Sequence, residues 1–144
     1  MVPLSSKTVR IVVDTNVLIG SAYNQHSASR TIVTACQQGQ LTLFVSPATC
    51  REYDLILPRA VRSQQQRDQL TTLIRQAQQV QPLETPRVVP DDPEDDKFLA
   101  VALAAQAVSL ITNDQGVLDV GSYQGITILR PSAFLDWWRQ FQAN

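Results

Sequence analysis

The 144 residues are 44% hydrophobic, enough for one domain with a substantial core, and the net charge of −1 excludes a broadly basic nucleic-acid binder. No run approaches the roughly 20 apolar residues of a membrane span, and residues 1–7 lack an apolar leader segment, so neither an anchor nor a signal peptide is expected. A single histidine, His26, and two distant cysteines, Cys36 and Cys50, offer no zinc ligand set and predict free thiols in a reducing cytoplasm.

Residues 9–13 are a β-branched run ending at Asp14 and predict a buried strand. Val17, Leu18 and Ile19 read as an apolar turn after it. A helix is predicted over 27–38, with Ile32, Val33 and Ala35 inward and Gly39 as its stop. Residues 41–45 form a second strand, closed by Ser46 and Pro47. Pro47 suits the first turn of a helix over 47–57, which Pro58 ends. The glutamine-rich stretch 64–80 carries an apolar stripe at Leu70, Leu73, Ile74 and Ala77 and predicts a polar helix. Residues 87–89 read as a short strand leading into an acidic loop. Asp92 and Pro93 there look like the cap and first-turn proline of a buried helix over 93–107, with Asp91 and Glu94 assigned to capping and solvation. A strand over 108–112, a short helix over 115–119 and a last strand over 126–129 follow. Pro131 then opens a helix carrying Phe134, Leu135, Trp138 and Phe141, where Trp137 and Trp138 suit packing or a subunit interface better than base stacking. Strands alternating with helices predict a single α/β domain over 1–144, with helices on both faces of a central parallel sheet.

In such a sheet, ligands bind beyond the carboxyl ends of the strands. Asp14 ends the first strand, and Asp114 follows the strand 108–112. Glu52 lies on the helix after the second strand, among Ala48, Leu55 and Ile56 at helical spacing. Asp96 opens the buried helix, where an acid also gains from the helix dipole. Each acid has an ordinary reading as a cap, a solvated loop residue or, for Glu52, a partner of Arg51 or Arg59. Brought together, four carboxylates would raise one another's pKa values unless cations neutralised them. Hard oxygen ligands without histidine suit Mg²⁺ or Mn²⁺, one or two ions, with nucleic-acid phosphate filling the remaining positions. Charge changes sign along the chain: Arg59, Arg62, Arg67 and Arg75 face only Asp68 in their segment, and a nearly unopposed acidic run follows. That basic segment is either an RNA-backbone contact or a solvated helix face.

The order and spacing of four short motifs resemble the PIN-domain nucleases over almost the whole chain. Val12-Val13-Asp14-Thr15-Asn16-Val17-Leu18 is similar to the family's opening motif. Ser46 with Glu52 and Ile56-Leu57 resembles the second, and the run from Asp92 through Lys97-Phe98-Leu99-Ala100 with Ala102 the third. Ile111-Thr112-Asn113-Asp114 resembles the fourth, and Ile128-Leu129-Arg130-Pro131 before an aromatic helix fits the family's close. The resemblance implies a three-layer α/β/α PIN-like fold with Asp14, Glu52, Asp96 and Asp114 as catalytic and metal-site residues. Asp95 competes with Asp96 for the third position. Gly116 stands where the fourth motif often carries another acid, for which Asp119 is a substitute candidate. The implied activity is metal-dependent hydrolysis of RNA, leaving 5′-phosphate and 3′-hydroxyl ends. Many members are toxins held in check by an antitoxin protein, and a homodimer is in keeping with the family. Thr15, Asn16, Thr112 and Asn113 carry side chains suited to hydrogen bonds that fix ligand geometry, although both asparagines also suit ordinary turns.

Three other readings compete. A PIN-like module that binds RNA or protein without chemistry would be favoured by loss of an acid, yet all four are present. A phosphotransfer enzyme using Asp14 as nucleophile wants a second acid where Asn16 stands. A receiver-type signalling domain wants a lysine near the end of the sheet, and the sequence holds only Lys7 and Lys97. No glycine-rich phosphate loop is present.

Overall fold

The computed structural model describes residues 8–88 and 96–144. Its framework is one six-stranded sheet: β1 (Val9–Val13), β2 (Leu41–Val45), β3 (Gln78–Gln79), β4 (Ser109–Ile111), β5 (Ser122–Tyr123) and β6 (Ile126–Leu129), in the order β3-β2-β1-β4-β6-β5. Ile11, Val12 and Val13 are essentially inaccessible, because β1 lies at the centre with covered faces on both sides. All pairings are parallel except β5 with β6. The expected parallel sheet therefore carries an antiparallel edge. Gln124 (φ 47°) and Gly125 (φ 86°) make the two-residue turn there, both in the left-handed region that matches strand twist.

The helices are α1 (Thr15–Tyr23), α2 (Ala28–Gln37), α3 (Pro47–Ala60), α4 (Gln64–Gln76), α5 (Asp96–Ala105), α6 (Gln115–Leu118) and α7 (Pro131–Ala143). α5 packs on β1, β2 and β4, while α7 packs on α2, β4 and β6, giving a layered α/β/α arrangement. Phe98, Leu99 and Val101 from α5 and Phe134 from α7 are among the fully buried helical side chains of the core, together with Val17, Leu18, Ile32 and Tyr53. A fully buried side chain of this size contributes roughly 1.5–3 kcal/mol.

Five stretches differ from the sequence expectation. The stretch holding Val17, Leu18 and Ile19 is helix α1, not a turn. Asp14 C=O accepts from Val17 N–H (3.0 Å), and the burial of Val17 and Leu18 outweighs a local composition poor in helix formers. Pro58 lies inside α3, which runs on to Ala60. So close to the end its missing N–H removes one bond, and Val61 N–H still reaches Leu57 C=O (2.9 Å). α4 stops at Gln76, because Ala77 turns extended and Gln78–Gln79 pair with Phe44–Val45. Residues 87 and 88 are not in a strand, and residue 89 lies outside the described residues. Asp91, Asp92, Pro93, Glu94 and Asp95, with the capping and competing roles expected of them, also lie outside. At its other end α5 stops two residues short of 107, with Gln106 at φ 52°.

Both cysteines are free thiols, and burial pushes Cys36 up to about 12. No helix among the described residues is long and apolar enough to cross a membrane.

Candidate active site

The parallel pairing of β1 with β4 sets Val13 opposite Ile111, so the residues following each strand, Asp14 and Thr112, emerge side by side. The backbone continues that pairing: Asp14 N–H donates to Ile111 C=O (2.9 Å), and Thr112 N–H to Leu129 C=O (3.0 Å). The Thr112 hydroxyl donates to Asp14 Oδ2 (2.7 Å) and accepts the Asp114 N–H (3.0 Å). One buried threonine thus fixes the rotamer of the first acid and the backbone that carries another.

Asp14 is only 6% exposed. Burial pushes its carboxyl above the ordinary range. The Thr112 hydroxyl opposes that shift, the charge of Glu52 adds to it, the Thr15 N–H opposes it, and the charge of Asp114 adds again. A carboxylate taken out of water beside two like charges is held in a strained electrostatic state that a cation relieves.

Glu52 sits in the second turn of α3, whose start is fixed by a reciprocal cap. Ser46 Oγ accepts from Thr49 N–H (3.2 Å), and Thr49 Oγ1 accepts from Ser46 N–H (2.9 Å). Its carboxylate turns inward rather than toward Arg51 or Arg59. Oε2 accepts the Thr15 hydroxyl, and Oε1 lies 2.8 Å from Lys97 Nζ. The next residue, Tyr53, is fully buried and donates to Val13 C=O (2.5 Å), which pins α3 beneath the end of β1.

Asp96 is 1% exposed in the first turn of α5, and its Oδ1 accepts Val88 N–H (3.1 Å). Asp114 caps α6, with Oδ1 accepting Gly116 N–H (2.9 Å). Asn16 Oδ1 accepts from the backbone N–H of Asn113 (3.1 Å), so Asn113 takes part through its main chain while its side chain is exposed. Asp119 is exposed and accepts from Gln115 Nε2 (2.7 Å).

The structure therefore brings Asp14, Glu52 and Asp114 within electrostatic reach, bound together by Thr15, Asn16 and Thr112. Lys97 is the member that sequence reasoning missed. The only available signal was its place beside Asp96, which does not reveal a partner on α3.

Among the described residues, no three His, Cys, Asp or Glu side chains cluster closely enough to hold a metal ion between them. Magnesium is commonly held by one or two carboxylates, with water and phosphate oxygens completing its shell. The oxygen-only donors and the uncompensated charge of Asp14 suit such an ion. His26 is exposed beyond α1 and bonds only within its own loop.

The four arginines are not drawn into this cluster. Arg59, Arg62 and Arg75 are exposed. Arg67 is committed to the chain itself, its Nη1 donating to Val61 C=O (2.7 Å) and Arg62 C=O (2.8 Å) where α3 hands over to α4.

A family model described as the PIN domain matches residues 10–116. A search of curated protein sequences gives no match. Among solved structures, the chain is similar to PAE2754 from Pyrobaculum aerophilum, with a TM-score of 0.57 at 16% identity, covering 91% of this chain and 92% of that one. It is also similar to VapBC2 from Rickettsia felis, which was solved bound to a DNA fragment from its promoter. There the TM-score is 0.56 at 10% identity, covering 83% of this chain and 97% of that one. At these identities the likeness is one of fold.

Proposed function

From the premise that this chain belongs to the PIN-domain family, we propose that it is a divalent-metal-dependent endoribonuclease, a single PIN domain over 1–144 that acts in the cytoplasm. The observation that carries the reading is Asp14: a carboxylate 6% exposed at the end of the central strand, with two acids acting on it and no cation beside it among the described residues.

Asp14 and Asp96 are the central ligands in this reading, and Asp114 completes the set. A bound Mg²⁺ or Mn²⁺ supplies a Lewis acid that lowers the pKa of water and balances charge on the phosphoryl group. Thr112 holds Asp14 in a single rotamer, and Asn16 ties the start of α1 to the loop that carries Asp114. Glu52 orients the attacking water. Arg59, Arg62 and Arg75 are the arginines with exposed guanidinium groups for RNA phosphate, whereas the bonds of Arg67 give it a structural role. Hydrolysis leaves 5′-phosphate and 3′-hydroxyl ends. The fold shared with VapBC2 supports a toxin role with an antitoxin partner.

The test is cleavage of labelled single-stranded and structured RNAs in Mg²⁺, Mn²⁺ or EDTA, by wild type and Asp14→Asn. Metal-dependent cleavage lost in the variant is expected. A second reading, a PIN-like binding module without chemistry, draws on the two donors that already occupy Glu52. Folded wild-type protein that cuts no RNA and takes up no Mn²⁺ in calorimetry would establish that module instead.

A further inference from the structure

We propose that Lys97 is a built-in counter-ion for Glu52, so that the acidic centre takes a single divalent ion on the Asp14 side. The inference rests on the nuclease reading above and sharpens it.

The two sides of the centre are unlike. Glu52 has a donor on each oxygen, the Thr15 hydroxyl on Oε2 and Lys97 Nζ 2.8 Å from Oε1. The side chains of Lys97 and Glu52 are only 17% and 16% exposed, so water screens their attraction weakly. Asp14 receives the Thr112 hydroxyl and a backbone N–H but, among the described residues, no cation. Among the described residues a cation therefore meets the acid on the α3 side, and none meets the acid at the end of β1.

The position of Lys97 in the chain points the same way. A cation in the first turn of a helix opposes the helix dipole, so α5 alone disfavours it. Its stem has little freedom to leave, since the flanking Asp96 and Phe98 are each 1% exposed and hold the turn in the core. Nζ also lies 5.9 Å from the centre of the Phe98 ring, whose face favours a cation. An ammonium so placed stands where a second divalent ion would need Glu52. As a compact point charge with three donors, it binds one carboxylate without demanding an octahedral shell.

The test is Mn²⁺ calorimetry on the full chain. Wild type is expected to bind one ion. Lys97→Met is expected to bind Mn²⁺ at least about ten-fold more tightly, the size of one unit charge acting on a divalent ion a few ångström away even if water screened it fully. Lys97→Arg keeps the charge and should retain the wild-type Kd. Two ions on wild type, or an unchanged or weaker Kd for Lys97→Met, would overturn the proposal.

Melting curves in EDTA give a readout free of metal. Lys97→Met should lower the melting temperature, and adding Glu52→Gln should recover it by removing the charge left alone. Losses that simply add would show that the two groups are not paired. If wild type binds no ion, the nuclease reading fails and takes the single-ion claim with it, while the EDTA series still judges the pairing of Lys97 with Glu52.

Discussion

The carboxyl ends of β1 and β4 bury charge, whereas the face beneath α7 buries aromatic rings. Around Asp14, two further acids and a chain of hydroxyl and amide hydrogen bonds occupy space that apolar groups would fill more stably. On α7, Phe134 is fully buried, with Trp137 at 5.7 Å and Trp138 at 6.4 Å between ring centroids, and the exposed Phe141 extends the stack from Trp137 toward solvent at 5.1 Å. The first region is organised to receive a ligand, and the second supplies the stability that tolerates it. Trp138, 8% exposed, belongs to the packing and not to an outer surface.

The largest effect should come from the aromatic side. Phe134→Ala is expected to cost about 3–5 kcal/mol in denaturant unfolding. Mn²⁺ binding by the fraction still folded should be unchanged; a matching loss of affinity would show that the two regions are coupled.

A smaller effect follows at the acidic end. Thr112→Val removes the donor to Asp14 and the acceptor of Asp114 N–H, for a stability loss of about 1 kcal/mol. Calorimetry should show Mn²⁺ affinity falling by about 10–100-fold. Unaltered affinity would mean that Asp14 needs no such orientation.

The smallest effect has the opposite sign. Because the folded state raises the pKa of Asp14, it holds that proton to higher pH than the unfolded chain does. Stability contributed by Asp14 is therefore lost as pH rises from the unfolded pKa through the folded one. In EDTA at neutral pH, Asp14→Asn should melt slightly above wild type and lose that part of the pH slope. Mn²⁺ should then raise the melting temperature of wild type alone. A variant melting below wild type would show that its surroundings favour the ionised carboxylate after all.

The same contrast governs what could be read from sequence. The runs that became β1, β2 and α2 carry their periodicity in apolar residues, and burial follows from it directly. α1 was hidden because Thr15, Asn16, Val17, Ile19 and Gly20 have weaker helical preference on their own. β3 and β5 are two residues each, too short to hold a period. At the candidate site, the strand-end positions of Asp14 and Asp114 were legible from strand logic. The inward turn of Glu52 was legible only as one of two even readings, since the Thr15 hydroxyl and Lys97 that hold it come from other elements. The structural use of Arg67 was equally hidden, because its acceptors are backbone carbonyls that no side-chain pattern announces.

Both outermost strands of the sheet are those two-residue pieces, Gln78–Gln79 and Ser122–Tyr123. Long bare strands invite another chain to add on by main-chain pairing, a route to aggregation that short edge strands close. Here the longer β1, β2 and β6 each have a neighbour on both sides, and the outermost strand at either edge is a stub that pairs with Phe44–Val45 or with Ile126–Thr127. Main-chain addition of a second chain along these edges is thereby disfavoured, because a two-residue strand offers few backbone groups to pair with.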